Sequence, residues 1–202
     1  MVTAIAGAGG KTTLLHALAE QYRAAGRSVL LTTTTHMRRE PGMLLDPDAA
    51  ELVRALRTQG CAIAGSAAEQ GKFGPLPPAV YAAGCAAAEE VLVEADGAKG
   101  RFLKLPAPHE PVIPANAERI LLVCNLRAVG MPLCAAAHRA ERVAEFLGVP
   151  ADIHLSAEQV QATARNYLEL LRAAHPDKAV RLHVNHDGSP AQARLAQQME
   201  QW

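Results

Sequence analysis

Three glycines, a lysine and two threonines lie close together near the start of the chain, in the segment Gly7-Ala8-Gly9-Gly10-Lys11-Thr12-Thr13. A phosphate chain is bound by a loop whose successive N–H groups converge on it, and glycines leave room for that approach. The ammonium group of Lys11 would then reach the β- and γ-phosphates of a nucleoside triphosphate, and the hydroxyl of Thr12 would ligate Mg²⁺. All seven residues are therefore predicted to bind a nucleotide with Mg²⁺, and ATP is the nucleotide that we expect.

The spacing within this segment favours one type of phosphate-binding loop. The general P-loop pattern requires a glycine five positions before Gly10, where Ile5 stands. The register of Gly7, Gly10 and Lys11 instead fits the loop of P-loop proteins of the nitrogenase-iron-protein and partition-ATPase type. Those proteins carry a second lysine that reaches across a dimer, and Ala6 stands in its place here. We therefore expect slow hydrolysis by the isolated protein and leave a homodimer open; the alternative reading is a glycine turn that precedes a lysine by chance.

Two carboxylates, Glu94 and Asp96, follow the apolar run Val91-Leu92-Val93. A P-loop needs a carboxylate on the adjacent strand to hold Mg²⁺ through its water shell. We expect Asp96 to hold the metal together with Thr12 and Glu94 to orient water, although the two carboxylates could exchange roles. Lys11, Glu94 and Asp96 are thus the predicted catalytic residues, and the alternative is an ordinary turn at the end of the strand.

Two other polar stretches are predicted to lie at the site. A run of four threonines followed by His36 comes after the second strand. The loop at this place in P-loop folds often senses the γ-phosphate, so we assign Thr34, Thr35 and His36 to the nucleotide site. The same threonines could simply complete a β-branched strand. The segment 96–114 combines four prolines with many charged residues. This composition predicts a loop that binds an anionic substrate; the alternative is a solvent-exposed loop that only connects two elements. The residues assigned to this loop are Lys99, Arg101, Lys104, His109 and Glu110.

Asn185 directly follows the last predicted strand of the chain. P-loop proteins commonly place an Asn or Asp after such a strand to read a nucleotide base, so Asn185 is a candidate for that contact. The residues from 185 to 187 are equally typical of an ordinary turn before a helix. The sequence favours neither of these two interpretations over the other.

Strands and helices alternate along the chain. Apolar runs predict buried strands, and stretches with helical spacing of apolar residues predict the helices between them. This alternation predicts an α/β fold with a doubly wound, mainly parallel sheet flanked by helices, in a single P-loop NTPase-like domain over residues 1–202. The predicted strands are 2–6, 28–31, 61–64, 91–93, 120–124 and 180–184, and the predicted helices are 11–25, 48–58, 78–90, 135–147, 157–174 and 190–201.

Composition narrows the range of functions. The 20 Lys and Arg residues balance the 20 Asp and Glu residues, so no net charge attracts nucleic acid. No apolar run reaches the roughly 20 residues of a membrane span, and the N-terminus lacks the basic stretch of a secretory signal. The four cysteines form no CxxC pair, which favours reduced thiols in the cytoplasm and argues against a P-loop chaperone that inserts nickel or zinc.

Four segments in the same order resemble the YqeC family, over about residues 3 to 114. They are the glycine loop, the threonine run with His36, the segment VEADGAKG at 93–100 and the segment KLPAPHEPVIP at 104–114. The EADGAKG and HEPVIP stretches are the specific part of the match, and His138, Arg139 and Asn185 fit later family positions more loosely. Members run longer at the C-terminus, so we expect this chain to be short there.

The resemblance implies an accessory role, because members are described as selenium-dependent hydroxylase accessory or selenium cofactor biosynthesis proteins. The expected partners are a nucleotide, an anionic selenium or pterin-type small molecule, and a molybdenum hydroxylase or its maturation proteins. Two classes of activity stay open. The first is a slow NTPase or phosphotransferase, including a small-molecule kinase, and the second is a non-hydrolysing binding module gated by the nucleotide.

Overall fold

A computed structural model describes all 202 residues, which fold into two compact units. The first unit contains Met1–Ile5, Thr12–Asp96 and Val112–Glu118, and the second contains Ala6–Lys11, Gly97–Pro111 and Arg119–Trp202. Each unit combines parallel strands with helices, so the predicted α/β fold with a mainly parallel sheet flanked by helices is confirmed. The P-loop NTPase type and the assignment to a single domain stay predictions.

The regular elements follow one another in the order that the alternating pattern indicates. Up to residue 94 they are β1 (Val2–Gly7), α1 (Lys11–Ala24), β2 (Val29–Thr33), β3 (Met37–Arg38), β4 (Leu44–Leu45), α2 (Ala49–Gln59), β5 (Cys61–Ala67), β6 (Lys72–Gly74), α3 (Pro78–Ala87) and β7 (Glu90–Glu94). The remaining elements are β8 (Leu103–Lys104), β9 (Arg119–Asn125), α4 (Leu133–Ala136), β10 (Ala137–His138), α5 (Ala140–Leu147), α6 (Ala157–Ala174), β11 (Ala179–Asn185) and α7 (Pro190–Met199).

The sheet of the first unit has the strand order β1-β7-β2-β5-β6-β3, and β4 pairs with β5. β1, β7, β2 and β5 are parallel neighbours, whereas β6 is antiparallel to both β5 and β3. Every residue of β1, β2 and β7 is buried, as a parallel sheet covered on both faces requires. The register pairs Ile5 with Glu94, which brings the carboxyl ends of β1 and β7 to the same edge of the sheet.

Helix α3 is shorter than the sequence predicts. The sequence predicts that it continues to Glu90, but it ends at Ala87. The N–H of Glu90 donates to the carbonyl of Ser28 at 3.0 Å, and the fully buried Glu90 carboxylate forms an ion pair with Arg27. Because strand pairing and charge both fix Glu90 at the start of β7, the residue is not available to the helix.

The second unit is built around a parallel pair of strands, β9 and β11. Their register runs from Arg119 beside Ala179 to Asn125 beside Asn185, so the two asparagines end neighbouring strands together. Helices α6 and α7 both contact β11. Helix α6 begins at a capping box, in which the Ser156 hydroxyl accepts from the N–H of Gln159 and the Gln159 side chain accepts from the N–H of Ser156.

The predicted helix 135–147 is confirmed over 140–147 and wrong over its first part. The structure has the single helical turn α4, then the short strand β10, and only then helix α5. Arg139 has a left-handed backbone with φ of 55°, which a continuous right-handed helix does not allow. The two residues before it pair in parallel with β8, so that His138 lies beside Lys104. A pairing with a distant segment therefore overrides the helical pattern.

The other predicted helices and strands are confirmed, with ends that shift by at most three residues. The strands β3, β4, β6, β8 and β10 were not predicted, because segments of two or three residues show no periodicity. No helix combines the length and the apolarity that crossing a bilayer requires.

Candidate functional site

The glycine loop between β1 and α1 needs glycine for two reasons. Its three glycines all have left-handed φ values, 99° at Gly7, 78° at Gly9 and 125° at Gly10, which other residues rarely adopt. A Cβ atom would also have no room at any of them. It would overlap the Val123 carbonyl at Gly7, the Asn125 side chain at Gly9 and the Asn185 side chain at Gly10. The loop backbone is therefore packed directly against the ends of β9 and β11.

Hydrogen bonds fix the orientation of the loop peptides. The N–H of Ala8 donates to the carbonyl of Val123 at 2.9 Å, so this amide is engaged within the protein. The carbonyl of Gly9 accepts from the side-chain amides of Asn125 at 2.7 Å and Asn185 at 3.0 Å. Because a trans peptide points its C=O and N–H in opposite directions, the N–H of Gly10 faces away from both asparagines. The N–H groups of Gly9 and Gly10 donate to no acceptor within the protein.

Lys11 is the first residue of α1 and is buried, with 6% of its surface exposed. Its Nζ donates to the carbonyl of Gly7 at 2.7 Å. The first turn of α1 contains no acidic residue, so no carboxylate of that turn offsets the positive end of the helix dipole. Thr12 and Thr13 follow with exposed side chains. A buried ammonium beside backbone amides that have no acceptor within the protein is an arrangement that favours an anion.

The carboxylates Glu94 and Asp96 lie at the carboxyl end of β7 in the first unit, as predicted. Both are buried, with 7% of Glu94 and none of Asp96 exposed. The backbone between them is fixed on both sides, because the N–H of Ala95 donates to the carbonyl of Ile5 and its carbonyl accepts from the N–H of Val112. Thr12 belongs to the same unit.

The threonine run ends β2 beside these carboxylates. The carbonyl of Glu94 accepts from the N–H of Thr34 at 3.0 Å and from the hydroxyl of Thr33 at 2.9 Å. The hydroxyl of Thr34 donates to the carbonyl of Val112 at 2.7 Å, and the N–H of Thr35 donates to the hydroxyl of Thr33. His36 is exposed. The run is thus tied to the backbone of β7 and to residue 112.

The residues assigned to the substrate loop divide into two groups. Lys99, Arg101 and His109 are exposed, and Arg101 donates to the carbonyl of Ala135. Lys104 is buried instead, and its Nζ donates to the carbonyl of Gly97 at 2.8 Å and pairs with Glu110 at 2.9 Å. Lys104 and Glu110 therefore support the loop from inside.

Arg139, which the sequence analysis did not assign to the site, completes this ion-pair cluster. Its guanidinium binds both carboxylate oxygens of Glu110, at 2.5 and 3.1 Å. Burial would raise the pKa of Glu110, but the hydrogen bonds from Arg139 and Lys104 outweigh it and lower the pKa to about 2. Burial and the charges of Arg139 and Lys104 lower the pKa of His138. We refer to Lys104, Glu110 and Arg139 as the triad.

Asn125 is the other residue that sequence reasoning missed. It ends β9 as Asn185 ends β11, and the two are register partners. The signal was present, since an asparagine follows the apolar run of each strand. The structure places the amide of Asn185 against the glycine loop, and its contact with a nucleotide base stays a prediction. No signal in the sequence pointed to Arg139 as the partner of Glu110.

The fold and the loop together define the class of this protein. It is a mainly parallel α/β protein in which a glycine loop joins a buried strand to the start of a helix. A family model described as YqeC protein matches residues 3–141 of the chain. The uncharacterized protein YqeC of Escherichia coli (strain K12) is 34% identical over 173 residues, which cover 82% of this chain and 68% of that protein. The chain belongs to the YqeC family, as the four sequence segments indicated.

The packing of the loop predicts that Gly9→Ala is more destabilising than Gly130→Ala. Both glycines have nearly the same φ, 78° and 80°, but a Cβ at Gly130 meets open space, whereas one at Gly9 overlaps Asn125. We expect Gly130→Ala to lower the free energy of unfolding by about 1 kcal/mol through backbone strain alone. Gly9→Ala should lower it by about 2–4 kcal/mol, because overpacking adds to the strain. Urea denaturation followed by circular dichroism measures both, and equal losses would contradict the packing argument.

The triad predicts a pH-dependent effect of Glu110→Gln. The folded pKa of Glu110 lies below its usual value of 4.5, so its stabilisation is complete above pH 4.5 and is lost as the pH falls toward 2. At pH 7 the substitution leaves two cations without their carboxylate, and we expect a loss of about 2–3 kcal/mol in the free energy of unfolding.

The measurement is urea denaturation of wild type and Glu110→Gln at several pH values from 7 down to 3. The difference between them should narrow below pH 4.5. Glu145→Gln removes an exposed carboxylate of α5 and serves as the matched control, with an expected change below about 0.5 kcal/mol. A Glu110→Gln effect that stays constant down to pH 3 would contradict the low pKa.

Proposed function

We propose that this chain binds a nucleoside triphosphate with Mg²⁺ and that the glycine loop holds the phosphates, with ATP the expected nucleotide. The observation that carries the proposal is the geometry of this loop. Its backbone has no space for side chains, the N–H groups of Gly9 and Gly10 have no acceptor within the protein, and Lys11 is buried beside them. Backbone donors at a helix N-terminus together with one lysine are typical of phosphate recognition.

Lys11 would act by exchanging one acceptor for another. Its ammonium now donates to the neutral carbonyl of Gly7. A phosphate oxygen is a stronger acceptor for the ammonium, because its negative charge adds a Coulomb attraction that a neutral carbonyl lacks. In phosphoryl transfer the same ammonium would stabilise the charge that develops on the transferred group.

Thr12 and Asp96 are the residues proposed to arrange the metal. A hydroxyl and a carboxylate are oxygen ligands of the kind that Mg²⁺ prefers, and both residues belong to the first unit. No group of three or more His, Cys, Asp or Glu residues could hold a metal ion by itself. Mg²⁺ would therefore take its other ligands from phosphates and water. Glu94 would orient a nucleophile, and the roles of Glu94 and Asp96 could be exchanged.

Two activities compete at this site. The first is slow NTP hydrolysis or phosphoryl transfer, with a small-molecule kinase as one form of it, in which Lys11 and Mg²⁺ offset the charge on the phosphates. The second is a binding module that the nucleotide gates without hydrolysis. The bonds from Thr33 and Thr34 to the carbonyls of Glu94 and Val112 favour the second candidate, because they connect the carboxyl end of β2 to the end of the proline-rich segment.

The proposed biological role follows from the family resemblance. We infer that the chain assists the maturation of selenium-dependent molybdenum hydroxylases and handles an anionic selenium or pterin-type compound. The exposed side chains of Lys99, Arg101 and His109 support this assignment, since they offer charged or hydrogen-bonding groups on a proline-rich segment. The hydroxylase or its maturation proteins would be the protein partners.

Isothermal titration with ATP, GTP and CTP in the presence of Mg²⁺ tests nucleotide binding. We expect Lys11→Ala to weaken binding by about tenfold or more, because it removes the charged phosphate contact. Thr12→Val should weaken binding with Mg²⁺ but leave binding in EDTA unchanged. Lys72→Ala removes an exposed lysine of β6 and is the matched control for loss of charge. Equal affinity of wild type and Lys11→Ala, or no binding by either, would overturn the proposal.

Phosphate release measured with wild type, Asp96→Asn and Glu94→Gln distinguishes the two activities. We expect slow release by wild type and a decrease of about 100-fold for a variant that lacks the residue that orients the nucleophile. Release at background level even with a molybdenum hydroxylase present would select the binding module. Release or transfer that a small-molecule acceptor stimulates would select the phosphotransferase.

A further inference from the structure

We propose that Asn125 and Asn185 are positioning residues that hold the Gly9–Gly10 peptide with its N–H directed at the bound phosphate. The inference rests on the proposed nucleotide site and assigns a role to two residues that would not themselves need to touch the phosphates. It follows from the second unit alone, which contains the loop and both asparagines.

The two side-chain amides converge on one acceptor. Asn125 and Asn185 are register partners at the ends of β9 and β11, and their Nδ2 atoms lie 2.7 and 3.0 Å from the Gly9 carbonyl oxygen. A carbonyl oxygen has two lone pairs, so these two donors satisfy it completely. The N–H of the same peptide, which belongs to Gly10, then points to the opposite side.

The backbone determines which way the Asn125 amide faces. Its Oδ1 accepts from the N–H of Arg127 at 2.9 Å, so Nδ2 must be the atom that faces Gly9. Asn125 is buried, with 8% of its surface exposed, and the turn of 3₁₀ helix at 126–128 that it caps holds it in place. Asn125 therefore acts as a fixed anchor for the loop.

The Asn185 amide occupies the space that a side chain at residue 10 would need. A Cβ atom on Gly10 would overlap its Nδ2. Glycine at position 10 is therefore required for two reasons. It permits the left-handed backbone, and it leaves space for the Asn185 side chain to reach the Gly9 carbonyl. The Asn185 amide makes no other hydrogen bond within the protein, so its removal disturbs less of the structure than removal of Asn125.

Such an anchor is needed because glycine stands on both sides of the peptide. Two glycines allow the Gly9–Gly10 peptide to rotate as a unit at low steric cost, and the rotated form would direct a carbonyl at the phosphate. In the rotated form the carbonyl of Gly9 would lose its hydrogen bonds to the side-chain amides of Asn125 and Asn185. They therefore favour the one orientation that presents a donor to an anion before any ligand arrives, which is preorganisation of the site.

The test uses the full chain with inorganic tripolyphosphate and with Mg·ATP as probes. Asn185→Ala and Asn125→Ala each remove one donor without adding charge. We expect each to weaken both ligands about tenfold, as the loss of one such hydrogen bond implies. Asn116→Ala removes an asparagine of the first unit that bonds to Tyr81, and it should retain affinity within twofold.

A second readout separates positioning from general destabilisation. In ¹⁵N-labelled wild type, tripolyphosphate should move the Gly10 amide proton resonance downfield, and Asn185→Ala should reduce that shift while its urea midpoint stays near wild type. Wild-type affinity together with a wild-type Gly10 shift in Asn185→Ala would overturn the positioning role and leave the proposed function standing. Failure of wild type to bind either probe would overturn the proposed function and the ligand-directed role of the asparagines together.

Discussion

The contact of the glycine loop with the ends of β9 and β11 is the constraint on which the candidate site depends. The backbone at Gly7 and Gly9 comes so close to Val123 and Asn125 that any side chain would overlap them. This approach lets the strand carbonyl of Val123 bind the N–H of Ala8 and lets two asparagine amides reach the carbonyl of Gly9. The ends of β9 and β11 thus cover one face of the glycine loop. Loop amides that are not bonded to these strands could contact a ligand only from the opposite face.

Charge imposes a second constraint, on the proline-rich segment. An ammonium group as buried as that of Lys104 requires a partner, because transfer of an unpaired charge out of water costs several kcal/mol. Glu110 supplies the carboxylate, and Arg139 binds both of its oxygens. The segment therefore owes its shape to the triad as well as to its prolines. The exposed cations Lys99 and Arg101 lie on this segment, and Arg101 is itself held by its bond to the carbonyl of Ala135.

The sequence predicted those features that depend on neighbouring residues. The glycine loop follows a buried strand and precedes a helix as expected, Glu94 ends β7, and Asp96 follows two residues later. The errors arose where distant residues decide the structure. Helix 135–147 is interrupted because β10 pairs with β8, 34 residues earlier, and because Arg139 has a left-handed backbone and binds Glu110. The sequence predicts that Lys104 contacts a ligand, and only the folded chain reveals that it pairs with the partly buried carboxylate of Glu110.

The threonine run shows how the same physical reasoning limits what the site can do. The hydroxyls of Thr33 and Thr34 are already engaged, since the Thr33 hydroxyl donates to the carbonyl of Glu94 and the Thr34 hydroxyl donates to that of Val112. A ligand that recruited the Thr34 hydroxyl would have to compete with the carbonyl of Val112. If the nucleotide makes that exchange, the bond to the Val112 carbonyl breaks and the affinity for the nucleotide is reduced accordingly, while the N–H of Val112 stays bonded to the carbonyl of Ala95. If the nucleotide does not make it, the threonine run only holds β2 against β7. Under the proposed function, a nucleotide that makes no differential contact with Thr34 could therefore not gate the proline-rich segment through this hydroxyl.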